Sequence, residues 1–198
     1  MSARGVSLAV TIASFGGCVS PLDPPPEPLP IPFVVSDNYS PDGLWGDGET
    51  RGSVDVQRTC TPPPGALGDC YEIGYVPGAR RFAGINWQYP HNNWGFYPGH
   101  KVAAGATQIV FAVRGEHGGE VVSFGAGQTG SNNPHNDSFS LGAQKATLTT
   151  DWTTITVPLR GERYDGPDGL IGAFVVSMTA PEDGQAIRFF LTDLRWQP

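Results

Sequence analysis

The segment 83–99 reads AGINWQYPHNNWGFYPG and gathers Trp87, Tyr89, Trp94, Phe96 and Tyr97 around Gln88, His91, Asn92 and Asn93. An aromatic face accepts the C–H groups of a saturated polyol ring, and amides and imidazoles offer donors and acceptors to its hydroxyls. Trp87, Tyr89, Trp94 and Tyr97 are therefore candidates for stacking, and His91, Asn92 and Asn93 for hydrogen bonding. A competing reading places the tryptophans in a core and uses the asparagines to hold the loop through Asx turns. On either reading the spacing predicts that at least one of Trp87 and Trp94 is structural.

Catalytic patterns are weaker. Glu72, Glu116, Glu120 and Glu162 are raw material for a carboxylate pair, but nothing in their spacing selects two of them. His91, His100, His117 and His135 fall in turn-rich stretches with no identifiable nucleophile partner, and neither GxSxG nor HExxH occurs. Gly125 to Gly130 match GxGxxG, yet the following Ser-Asn-Asn-Pro is no helix start, so the dinucleotide reading fails on context. A net charge of -7 and the lack of any Lys/Arg run exclude nucleic acid as a partner. The expectation is a binding protein and not an enzyme.

The elements that must position these residues are strands. Charged residues are 16% of the chain, with 27 glycines and 19 prolines, a composition suited to short strands joined by turns. Apolar runs between turn residues predict strands at 33–36, 54–58, 70–75, 82–88, 107–114, 121–126, 153–159, 170–177 and 186–196. The pair 107–114 and 121–126 brackets Gly-Glu-His-Gly-Gly, a hairpin loop. No stretch sustains a 3.6-residue apolar period over three turns. Strands of similar length must cover one another's apolar faces, which predicts an all-β fold of two packed antiparallel sheets, a jelly-roll β-sandwich.

Residues 5–17 are apolar and small, the length of a signal-peptide core and too short to span a bilayer. They close in Phe15-Gly16-Gly17-Cys18, which resembles the lipobox of bacterial lipoproteins, with Phe15 in place of the usual leucine. The resemblance implies a signal peptide at 1–17, lipidation of Cys18, export, and a membrane partner held through the lipid on the periplasmic or cell-surface face. Residues 19–32, VSPLDPPPEPLPIP, read as a semi-rigid polyproline tether, and the domain is expected to begin at Phe33. Of the three cysteines, lipidation of Cys18 leaves Cys60 and Cys70 to pair across a turn-forming stretch.

The Trp-Gln-Tyr-Pro-x-Asn-Asn-Trp-Gly core, the Gly-Gly-Glu hairpin, the Leu-Thr-Thr-x-Trp approach and the terminal Phe-Leu-Thr-Asp-Leu-Arg-Trp together resemble galactose-binding-like jelly-roll domains of carbohydrate-binding modules, across residues 33–196. The resemblance implies a polysaccharide or glycan ligand. It also implies a structural Ca²⁺ at an aspartate of the last strand, here Asp193, although Thr192 stands where members commonly carry a second acid. Asp37, with the Asp42-Gly43 and Asp47-Gly48 turns, is a candidate source of further oxygen ligands, while ordinary turn chemistry explains those Asp-Gly pairs without metal. The alternatives are a structural or protein-interaction lipoprotein and, third, a glycan-active enzyme.

Overall fold

The computed structural model describes residues 27–130, 132–160 and 163–198. The signal peptide at 1–17, Cys18 and most of the tether lie outside the described residues. Eleven strands run in chain order: β1 (Phe33–Val34), β2 (Ser40–Gly46), β3 (Val54–Gln57), β4 (Tyr71–Tyr75), β5 (Phe82–Gln88), β6 (Gln108–Gly115), β7 (Val121–Gly127), β8 (Ser140–Thr147), β9 (Thr153–Pro158), β10 (Gly172–Thr179) and β11 (Ile187–Gln197). Two 3-10 turns, Val35–Asp37 and Asp47–Glu49, are the helical content among the described residues. The expected strand at 33–36 thus stops at Val34.

The strands form two antiparallel sheets. One is ordered β3-β4-β11-β6-β9, with β1 pairing β11 beyond the end of β4; the other is ordered β2-β5-β10-β7-β8. Their inner faces share one core. Ala83, Ile85 and Trp87 of β5 alternate inward, as the two-residue strand period requires. Phe111, Phe124 and Phe174 meet with ring centroids 4.7 to 6.0 Å apart. Trp196 packs on Phe33 at 5.8 Å and on Tyr164 at 5.1 Å, and its Nε1–H donates to the Ala173 carbonyl at 3.0 Å.

On β11 the inward set changes parity, from Ile187, Phe189 and Leu191 to Leu194 and Trp196. The register slips between Thr192 and Arg195, and Asp193 has φ +56°. A bulge there inserts one residue and re-aims everything after it.

The proline-rich segment is not free to its end. Leu29 donates its N–H to the Lys101 carbonyl and accepts from Ala103, both at 2.8 Å, in a parallel bridge with Val102. Leu29 and Ile31 pack against the core, so the folded unit begins before Phe33. Cys60 and Cys70 are bonded, with Cα atoms 5.3 Å apart across a separation of 10 residues. Closing so short a loop contributes about 2–3 kcal/mol, in the chain-entropy model, by restricting the unfolded state.

Candidate functional site

Because Ala83, Ile85 and Trp87 face the core, Gly84, Asn86 and Gln88 point out of the β2-β5-β10-β7-β8 sheet. The pairings Trp45↔Gly84, Gly84↔Ser177, Ser177↔Ser123 and Ser123↔Lys145 set five residues in one row across the outer face. The indole of Trp45 lies on the backbone of its neighbour: a β-carbon on Gly84 would overlap its benzo ring. Glycine at 84 is what lets the ring lie down on the sheet. Trp94 meets Trp45 edge-on, with centroids 6.4 Å apart and planes at 86°, and its Nε1–H donates to Asn92 Oδ1 at 3.1 Å. The half-buried Trp45 therefore has one face on the sheet and meets Trp94 at right angles.

Beyond the indole the row continues into a cleft of about 490 Å³. Val121, Ser123, Lys145, Ser177 and Thr179 form its floor, and the loops 117–120 and 180–186 its walls. Since strands lie about 4.8 Å apart, the ring over Gly84 stands one strand from Ser177 at the cleft edge. Hydroxyls and an ammonium beside an aromatic plane can bind a polyol by stacking and hydrogen bonds together. Glu120 shapes one wall by accepting the His117 N–H at 2.7 Å.

The residues expected from the segment 83–99 separate into three groups. Trp87 is a core residue with no exposure, packed edge-on against Tyr71 at 5.5 Å and Phe174 at 5.4 Å; as a stacking platform it is ruled out. Asn93, 1% exposed, spends its amide on the loop itself: Nδ2 donates to the carbonyls of Tyr89 and Tyr97 at 3.0 and 2.7 Å, and Oδ1 accepts N–H from Gly95 and Tyr97 at 3.2 and 3.0 Å. No capacity is left for a ligand, and Asn93 too is corrected to a structural residue. Asn92 is exposed at φ +51°, and its N–H donates to Asp42 Oδ1 at 2.9 Å, while exposed His91 pairs with the same carboxylate. Trp94 meets Trp45, and neither ring is among the residues lining the cleft. Tyr89 stacks on His100 with centroids 3.4 Å apart, and together with Phe96 and Tyr97 it stays at the surface away from the cleft lining.

The residues present do not fit a calcium ion. Asp193 Oδ1 accepts the Leu67 N–H at 3.0 Å, and Oδ2 is held by the Arg195 guanidinium at 2.8 Å, so a cation already neutralises that carboxylate. Asp37 is exposed in its 3-10 turn, and among the described residues no three His, Cys, Asp or Glu side chains are grouped to hold a metal. Asp47 has a different task. It accepts from Tyr75 Oη and from the N–H groups of Gly78 and Arg80, each at 2.8 Å. Against the cost of burial, those bonds keep its carboxyl below the usual carboxylate range.

A polar knot closes the far end of the same sheet. Asp137 accepts N–H from Ile171 at 2.7 Å and from Thr129 and Gly172 at 3.1 Å, and Asn86 Nδ2 donates to Thr129 Oγ1 at 2.6 Å. Burial nonetheless pushes the Asp137 carboxyl up to about 6, the backbone N–H groups opposing it. The folded chain then holds this proton more tightly than the unfolded chain does. The associated stability is complete below about pH 4 and is lost as pH rises through about 6, a swing on the order of 2–3 kcal/mol. Denaturant titrations from pH 4 to 7 should show the wild type losing stability relative to Asp137→Asn across that window. Parallel profiles would contradict the assignment.

The fold and face define a two-sheet antiparallel β-sandwich with a polar, aromatic-flanked cleft on one outer face. No family model matches the chain, and no curated protein matches it. Among solved structures it is similar to a family 30 carbohydrate-binding module of a cellulosomal cellulase of Clostridium thermocellum, at 16% identity over 80% of this chain and 92% of that one, with a TM-score of 0.49. It is also similar to a family 11 carbohydrate-binding module of a cellulosomal cellulase from the same organism (15% identity, 81% and 87% covered, TM-score 0.43) and to a CBM4 structure (21%, 78% and 85%, 0.41).

Trp45 is the residue that reading the sequence missed. A signal existed in Gly43-Leu44-Trp45-Gly46, a tryptophan among glycines that permit close approach, but Pro41 and Asp42 hid the strand carrying it.

Proposed function

We propose that this chain is a non-catalytic, exported lipoprotein of the cell envelope that binds a polysaccharide or glycan on the outer face of the β2-β5-β10-β7-β8 sheet. Trp45 supplies the stacking plane, squared off by Trp94, and Ser123, Ser177 and Lys145 supply hydrogen bonds to hydroxyls. The observation that carries this reading is the indole laid on Gly84 in register with those three polar residues, at the edge of an open cleft. Retention on immobilised or soluble glycans tests the reading, with a folded chain that binds none of a broad panel as the result against it.

The anchor is a separate part of the proposal. The Cys60–Cys70 bond supports it, because it takes up the other two of the three cysteines. In cells, a palmitate analogue should label the wild type and fail to label Cys18→Ala. Equal labelling of both would remove the lipid anchor and leave the glycan reading untouched.

A further inference from the structure

The loop 89–97 exposes Tyr89 (37%), Phe96 (58%) and Tyr97 (65%), an aromatic surface that the cleft does not use. The described chain enters the fold beside it. Leu29 bridges Val102 in parallel, so the two described residues before it, Glu27 and Pro28, run alongside His100 and Lys101. His100 is the ring on which Tyr89 stacks. Cys18 lies nine residues before Glu27, and nine residues reach at most about 30 Å when fully extended. A lipid on Cys18 would therefore keep the point where the chain enters the fold, beside this loop, within about 30 Å of the membrane surface.

We propose that Tyr89, Phe96 and Tyr97 rest in the headgroup region of the phospholipid bilayer, turning the cleft toward solvent. The inference rests on the Cys18 anchor proposed above. Tyrosine and phenylalanine suit that region because their rings partition out of water while the phenol hydroxyls stay hydrated. Charge does not drive the contact. His91 is paired with Asp42 and His135 with Asp168, Lys101 Nζ donates to the carbonyls of Gly166 and Pro167, and the whole chain carries -7, so a zwitterionic surface is the partner. The orientation follows from β5. Phe82 at one end pairs with the cleft residue Thr179, Gln88 at the other leads into Tyr89, and seven residues of strand separate the ends by about 20 Å.

The mature chain from Cys18, its disulfide intact, can be coupled through the Cys18 thiol to a maleimide lipid in phosphatidylcholine vesicles. Amide hydrogen exchange over 89–103 should slow at least threefold relative to the same chain blocked at Cys18 and free in solution. Phe96→Ser/Tyr97→Ser should restore fast exchange, with exchange over 117–123 and 177–186 unchanged throughout. Equal exchange with and without vesicles overturns the proposal, as does slowing that survives the double substitution. Slowing of the free chain with rising protein concentration would assign the patch to a second copy and overturn it equally. Because the lipid is attached chemically, absence of palmitate labelling in cells would refute the anchor and not alter this readout.

Discussion

Trp45→Ala is expected to weaken glycan binding by about ten- to a hundredfold, equivalent to about 1.4–2.8 kcal/mol, while the chain remains folded. The size follows from the geometry. The ring already lies on Gly84 and abuts Trp94, so a sugar meets a plane whose rotamer freedom has been removed before binding. Removing the ring also bares Gly84 and the side of Trp94, a stability cost of about 1 kcal/mol that leaves most molecules folded. Trp45→Phe should retain part of the affinity, because a smaller ring keeps a face and loses area. Isothermal titration of the three proteins against a retained glycan measures this, and an unchanged affinity in Trp45→Ala would detach the site from the row.

Trp87→Ala is expected to act in the opposite way, costing about 3–5 kcal/mol of stability with no direct effect on ligand contact. The side chain is fully buried between Tyr71 and Phe174 at the join of the two sheets, and alanine would leave a cavity the neighbouring rings cannot fill. Since a domain's whole stability is about 5–15 kcal/mol, the variant should unfold at far lower denaturant and bind only in proportion to its folded fraction. Urea denaturation beside a binding titration separates the effects. A Trp87→Ala chain of normal stability and no affinity would return this residue to the site.

These two tryptophans show what sequence reading reached. Nine of the eleven strands follow from apolar alternation between turn residues; β2 and β8 do not, and both are edges of the sheet that carries the site. An edge strand tolerates Pro41 and a bulge at Asp42, and it need not be apolar: Leu141 is the one buried residue of β8. The pattern that reveals buried strands is thus faint where a binding face begins. Trp87 and Trp94 both sit among amides, and only the parity of β5 sends one inward. Asn93 was legible as a loop-holding residue, since four hydrogen bonds within 89–97 are the Asx-type chemistry its neighbours suggest. The ion pair between Asp193 and Arg195 was legible too, since residues two apart on a strand share a face.

The most direct measurement is amide and indole chemical-shift mapping of the isotope-labelled chain during titration with a glycan it retains. Shifts should concentrate at the Trp45 indole N–H, Gly84, Ser123, Lys145 and Ser177, leaving Tyr89, Phe96 and Tyr97 unmoved. Shifts confined to the loop 89–97, with the sheet row silent, would contradict the account.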